Sequence, residues 1–249
     1  MVDLNYNKVE KKLIEWLRKK VDKAGAKGAV VGLSGGIDSS VTAVLCQKAF
    51  ADNELGIIMP CYSDKEAEND ARLLAESFNI DYMVKDLSSV FDKMAEILLG
   101  EKTFDSARDM AAANIKPRLR MTTLYYFAAK YNYLVIGTDN WSELKIGYFT
   151  KFGDGGVDLA PLGRLVKTEV RELAENMGIP QKIINKKPSA GLWQGQTDED
   201  ELGFNYEQLD KYILKGEADG EIKEKIEKLA NNNAHKLEPI PHPSRQELI

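Results

Sequence analysis

Histidine is nearly missing from this sequence. The 249-residue chain has two, His235 and His242, both close to its carboxyl end. That excludes a histidine-based triad or a His-rich metal site in the body of the fold. Cysteine is as scarce: Cys46 and Cys61 could form one bridge at most, and no CxxC pair is present for zinc or thiol chemistry. No apolar run approaches the roughly 20 residues that cross a bilayer. The first stretch, MVDLNYNKVEKK, lacks the apolar segment of a signal peptide. The expectation is a cytoplasmic protein without membrane contact. A net charge of −5 argues against an extensive nucleic-acid surface. Chemistry is left to carboxylates, lysines, arginines, hydroxyls and backbone amides.

What is present is an alternation of strand and helix. The stretch VEKKLIEWLRKKVDKAG places Val9, Leu13, Trp16, Leu17 and Val21 at near-helical spacing and stops at Gly25. Its lysines read as the solvated face of an amphipathic helix rather than a nucleic-acid patch. AVVGLS, LGIIMP, DYMVKDL and YLVIGT read as strands, with helical patterns between them that include a long one from about Asp109 to Tyr131. Strand alternating with helix implies a doubly wound, mostly parallel α/β sheet. With 43% hydrophobic residues, the chain can bury the core of one such domain over 1–249. The polar stretch from Lys186 to Phe204 reads as a long loop, of a kind that is usually functional or disordered.

One stretch carries a ligand signature. VVGLSGGIDSS (30–40) ends the first strand, where open α/β sheets bind their ligands. Gly35 and Gly36 allow close backbone approach, the next helix offers free N–H groups, and Ser34, Ser39 and Ser40 add hydroxyl donors. The combination suits a phosphate. The plainer alternative is a tight turn in which Asp38 caps the helix. Neither GxxxxGK[ST] nor GxGxxG is matched, and no lysine follows the glycines. The missing positive charge would have to come from Mg²⁺, for which Asp38 is a suitable hard ligand.

The SGGxDS string resembles the pyrophosphate loop of the ATP pyrophosphatase family. NIKPRLRM (114–121), GTDNWSE (137–143), FTKFGDGGVDLAPLGRLVKTEVR (149–171), KPSAGLWQGQTDEDELG (187–203) and HK (235–236) resemble, in order, the motifs of ammonia-dependent NAD synthetases. The resemblance implies an adenine nucleotide alpha hydrolase-like fold. It also implies ATP contacts from Gly32, Leu33, Ser34, Gly35, Gly36, Ile37, Asp38, Ser39, Thr138, Lys167 and Ser189, the last standing where the family usually has threonine. It places Mg²⁺ on Asp38 and Glu143, and deamido-NAD on Arg118, Lys151, Asp158, His235 and Lys236. Leu237 stands where many relatives carry arginine. Arg120 is a weaker candidate for deamido-NAD.

Read without the family, several of these residues have plainer roles open to them. Glu143 could be an exposed first-turn carboxylate, the 151–158 loop a solvated turn, and Arg118 and Arg120 partners on a helix surface. Lys167 opens a helix, where a cation opposes the dipole; a surface lysine is the plainer reading, and an anionic ligand would also account for it. Asp154 falls near the reacting centre by its place in the loop.

The implied reaction starts with attack of the nicotinate carboxylate of deamido-NAD on the α-phosphorus of ATP. Pyrophosphate leaves, ammonia then displaces AMP, and NAD forms. Asp38, Lys167 and Asp154 are the expected catalytic residues. The partners implied are ATP, deamido-NAD, ammonia and a second copy of the chain. The loop near 186–204 is expected to be mobile, and a tail from about 233 to cover the deamido-NAD site. The rival reading is a pyrophosphatase-loop enzyme adenylating another substrate such as tRNA. Such an enzyme would call on Cys61, although IIMPCYSD reads more simply as a strand end. The homodimer expectation rests also on MAAANIKPRLRMTTLYYFAAKYNYL, apolar around its circumference and rich in tyrosine and arginine.

Overall fold

Four parallel strands order the computed structural model, which describes residues 4–100, 109–189, 191 and 197–249. They are β1 (Gly28–Gly32), β2 (Glu54–Ile58), β3 (Tyr82–Val84) and β4 (Tyr133–Ile136), in the sheet order β3-β2-β1-β4. Ala29 pairs with Glu54 on one side and Leu134 on the other. β1 and β2 are buried along nearly their whole length, as strands covered on both faces must be. Alternate residues serve opposite cores: Ala29, Val31, Ile58 and Ile136 face one, Val30, Ile57 and Val135 the other.

The first core lies under α1 (Tyr6–Lys23), α2 (Ile37–Phe50), α3 (Lys65–Phe78), α8 (Lys167–Met177) and the short α9 (Gln181–Ile184). The second lies under α4 (Ser88–Leu99), α5 (Met110–Ala113) and α6 (Ile115–Tyr131). A smaller third core joins α7 (Trp141–Ile146), α10 (Asp198–Leu202), α11 (Tyr206–Lys215) and α12 (Gly220–Asn233) around Ile146, Leu202, Phe204, Leu209 and Ile226. This is a doubly wound α/β domain.

Two details differ from the sequence reading. The long helix is divided at Asn114, and Pro117 sits in the first turn of α6, where its absent N–H has no helical partner to lose. The stretch 186–204 is not loop throughout. Thr197 caps α10 by accepting from the Asp200 N–H, and four acidic residues complement that helix's positive end. Within that stretch, residues 190 and 192–196 lie outside the described residues.

β1 and β4 are neighbours at the point where the chain, having built outward through β2 and β3, returns to the other side of β1. Ligands of open sheets bind in the crevice beyond the carboxyl ends of such a strand pair. Two loops leave from there: 33–36 after β1, and 137–140 after β4.

Candidate active site

The glycine loop uses two of its own amides, Gly36 N–H donating to Ser34 Oγ at 3.2 Å and Ser34 N–H to Ser39 Oγ at 3.3 Å, and leaves the first turn of α2, whose N-cap is Gly36, without a side-chain cap. The serines bond instead within the loop: Ser39 and Ser40 Oγ both donate to the Gly36 carbonyl, at 3.0 and 2.8 Å, and Ser34 Oγ lies 2.9 Å from Ser39 Oγ. Asp38 does not cap the helix, which removes the plainer reading of this stretch. Gly35 has φ +75°, and a Cβ there would lie 2.2 Å from the Ala67 carbonyl oxygen. Only glycine fits. The result is a helix N-terminus with unshared donors, suited to an anion.

Opposite the loop, Asn140 caps α7 in a reciprocal box with Glu143: its side chain accepts from the Glu143 N–H, and the Glu143 carboxylate accepts from the Asn140 N–H. Asn140 Nδ2 also donates 2.8 Å to Asp38 Oδ1. The other Asp38 oxygen is 2.5 Å from Lys167 Nζ, and Glu143 Oε1 is 3.1 Å from the same nitrogen. Three segments remote in sequence thus converge on one ammonium. Lys167 is the first residue of α8, where its charge opposes the helix dipole. The first amides of α8 are nonetheless satisfied: Lys167 N–H donates to Ser142 Oγ and Thr168 N–H to Asp210 Oδ2. Ser142 in turn donates to Asp210.

Electrostatics follow from burial. Lys167 is 5% exposed. Burial alone would lower its pKa, but Asp38 and Glu143 more than offset this and hold it well above the usual lysine value. Burial pushes Glu143 up to about 7, with Lys167 opposing and Asp38 adding to the rise. Tyr206 covers the cluster, its ring centroid 4.9 Å from Lys167 Nζ. Its hydroxyl donates to Asp198 at 2.9 Å and lies 3.4 Å from Glu143.

A second group lies along the 149–158 loop. Lys151 Nζ donates 2.6 Å to the His235 carbonyl, and Arg118 reaches the Lys151 carbonyl at 3.5 Å. Lys236 Nζ donates to the carbonyls of Gly147 and Phe149, at 2.8 and 2.9 Å. Asp154 accepts from the Thr150 N–H at 3.1 Å. It is open to solvent, yet crowding by surrounding protein raises its pKa. Arg120 is tied inward, donating to the Met59 carbonyl and to Ser63 Oγ, each at 3.2 Å.

The sequence-predicted residues therefore fall into two sets. Gly32 to Ser39, Glu143 and Lys167 meet around the glycine loop, with Thr138 on the loop after β4. Arg118, Lys151, Asp154, His235 and Lys236 meet beside it. Asp158 is engaged elsewhere, accepting from the Val135 N–H at 2.8 Å and from the Tyr125 hydroxyl at 3.1 Å. Ser189 is exposed, and its Oγ accepts from the Gly191 N–H at 3.1 Å. Sequence reasoning passed over Asn140 and Ser142, although both stand inside GTDNWSE. It passed over Asp198, inside KPSAGLWQGQTDEDELG, and over Tyr206 and Asp210, which no quoted motif contains. It also passed over Asp139, 8% exposed, which joins the two sets electrically. Burial, then Asp154, Glu143 and Asp38, push its pKa far up.

Comparison with known proteins decides the family. The NAD synthase family model matches residues 9–242. The chain belongs to the NAD synthase family. It is 52% identical to the NH(3)-dependent NAD(+) synthetase of Carboxydothermus hydrogenoformans, over 94% of this chain and 96% of that one. Among solved structures it is similar to an NMN synthetase from Francisella tularensis (TM-score 0.91, 36% identity, covering 97% of this chain and 99% of that one). It is also similar to an NH3-dependent NAD synthetase from Campylobacter jejuni (TM-score 0.79, 29% identity, 97% and 100% covered).

Proposed function

We propose that the chain is an AMP-forming ligase that amidates deamido-NAD with free ammonia to make NAD. The observation carrying this reading is the meeting of Asp38, Glu143 and Lys167 beside an uncapped glycine loop. A nucleotide seated there has its β- and γ-phosphates at Gly35 and the first amides of α2, and its α-phosphorus toward Lys167. The deamido-NAD carboxylate comes from the side of Arg118, Lys151 and the 235–236 tail. Attack on the α-phosphorus gives an acyl-adenylate and pyrophosphate; ammonia then displaces AMP.

The residues fit Mg²⁺. Asp38 and Glu143 are hard carboxylates that meet at one point, each paired there with Lys167, and two carboxylates plus substrate phosphates and water are the donors this ion takes. When bound, the ion neutralises the charge gathering on the pyrophosphate. Lys167 adds a fixed cation in a site where Tyr206 helps exclude water, and such preorganised charge is worth about 10²–10³ in rate. No side-chain nucleophile is required. Positioning and electrostatics supply the catalysis.

Two copies complete the assembly in this reading. Val90, Ile97 and Leu98 of α4 are 49%, 70% and 61% exposed, and Tyr126 of α6 is 62% exposed. An apolar face of this kind, adjacent to Arg118, suits a subunit interface at the edge of the deamido-NAD site. Among the described residues no helix is long and apolar enough to cross a membrane, in keeping with a cytoplasmic enzyme.

ATP–pyrophosphate exchange that depends on deamido-NAD tests the reading. The similarity to an NMN synthetase favours one comparison in the same assay, with nicotinate mononucleotide in place of the dinucleotide. Exchange driven by the mononucleotide alone would reassign the substrate while leaving the chemistry intact. Exchange driven by tRNA alone would overturn it.

A further inference from the structure

Asp70 stands in the middle of α3 at 1% exposure, and each of its carboxylate oxygens takes a different lysine. Lys182 Nζ is 2.7 Å from Oδ1, and Lys186 Nζ is 2.8 Å from Oδ2. Lys182, on α9, is shared with Glu66 at 3.2 Å. Burial alone would push the Asp70 carboxyl up, but the two lysines outweigh it and hold the group below the usual aspartate range. It is a buried, fully ionised clamp, and nothing in the reaction described above uses it.

The clamp joins two parts of the nucleotide site. On one side, Asp70 belongs to the turn of α3 on which the glycine loop rests. A Cβ at Gly35 would lie 3.1 Å from the Asp70 Cβ, and closer still to the carbonyl of Ala67. On the other side, Lys186 begins the segment that leads to Ser189. That segment is fixed again at Pro188, whose carbonyl accepts from the Asp198 N–H at 3.1 Å. Asp198 in turn holds the Tyr206 hydroxyl over the Lys167 cluster. The short run 186–189 is therefore tied at one end to the wall of the glycine loop and at the other to the cover of the metal-binding carboxylates.

We propose that Asp70 is a positioning residue for ATP: through Lys186 it holds the 186–189 segment, and with it the Ser189 hydroxyl, at a fixed spacing from the glycine loop. An ion pair serves this because Asp70 is 1% exposed and its charge is compensated by Lys182 and Lys186, so losing Lys186 leaves a buried carboxylate with half its compensation and frees the segment that Lys186 begins. The spacing matters because a displacement of about 1 Å at a reacting phosphate costs on the order of a hundredfold in rate. The inference rests on the reading that the glycine loop and Ser189 belong to one ATP site. Its test therefore reads ATP affinity directly, apart from turnover.

The experiment measures dissociation constants of Mg·ATP and of deamido-NAD by calorimetry on the full chain, for wild type, Asp70→Asn, Lys186→Met, Lys186→Arg and the Asp70→Asn/Lys186→Met pair. Asp70→Asn and Lys186→Met are each expected to weaken ATP about tenfold and to leave deamido-NAD within about twofold. The pair should be no worse than the worse single change, and Lys186→Arg should stay within about threefold of wild type. Lys186 is partly exposed, so its variants decide the matter if Asp70→Asn does not fold. Wild-type ATP affinity in folded Lys186→Met would overturn the proposal. So would equal weakening of both ligands. A wild-type chain that binds ATP but does not amidate deamido-NAD would instead count against the function proposed above, and the clamp would still be decided by the ATP constants.

Discussion

Lys167 Nζ lies 2.5 Å from Asp38 Oδ2 across 129 residues of sequence, and the same nitrogen is 3.1 Å from Glu143. The lysine thus occupies the cation position that the two carboxylates define. Lys167→Met should leave Asp38 and Glu143 facing one another unneutralised, at a cost of about 3–5 kcal/mol. Added Mg²⁺ should then recover more of the melting temperature in Lys167→Met than it adds to wild type. Thermal melts with and without the ion check this; an equal response in both proteins would mean that the carboxylates do not share a cation site.

Asp38→Asn and Glu143→Gln should each fold, and each should lower deamido-NAD-dependent ATP–pyrophosphate exchange by about a hundredfold or more, because an unneutralised triphosphate is a poor electrophile. Exchange at wild-type rates with ATP saturating in either variant would remove that residue from the metal site.

Glu54 gives a pH dependence remote from the site. It is 4% exposed at the start of β2, and burial, with the Asp81 carboxylate adding to it, pushes its pKa up to about 8 from an unperturbed 4.5. A carboxyl whose folded-state value is raised contributes its stability in full below the unfolded value and loses it as pH rises through the folded one. Glu54→Gln cannot ionise. It should match wild type near pH 4.5 and be more stable by on the order of 2–4 kcal/mol above pH 8. Denaturant midpoints at pH 5 and pH 8.5 read this directly, and a constant difference between the two would exclude Glu54 as the titrating group.

Sedimentation at micromolar protein should give about twice the 27.9 kDa chain mass. Ile97 is 70% exposed, so Ile97→Glu costs the isolated chain little. It should shift the population to single chains and weaken deamido-NAD about tenfold or more. A fully active species of single-chain mass would refute the shared site.

The parts of the fold and site that were legible in the sequence are those that depend on neighbours in the chain. β1, the two glycines and Asp38 form one continuous stretch, and Glu143 could be placed because it follows a strand whose end had to lie near that stretch. Lys167 drew attention through its unfavourable place at a helix start. Asp139 stands inside GTDNWSE beside Thr138, but nothing local shows its burial; Tyr206 and Asp210 carry no mark at all, because burial and long-range contact alone make them part of the site. Asp158 shows what a motif leaves out: its carboxylate also accepts from the Val135 amide and the Tyr125 hydroxyl, contacts that no spacing announces. The break at Asn114 carries no visible signal, since the proline that would announce it lies three residues later in the first turn of α6.

The sheet order has a consequence for the protein as it is being made. A nascent chain that has emerged through β3 already holds the glycine loop, but it has neither Asn140, Glu143 nor Lys167, and β1 presents an open hydrogen-bonding edge until β4 arrives. An exposed edge of that kind invites pairing with other chains. A product of premature termination around residue 100 would therefore be sticky and inert, not half-active. Competence for catalysis arrives only after the ribosome has passed Lys167, and the cell must shelter the unfinished edge until then.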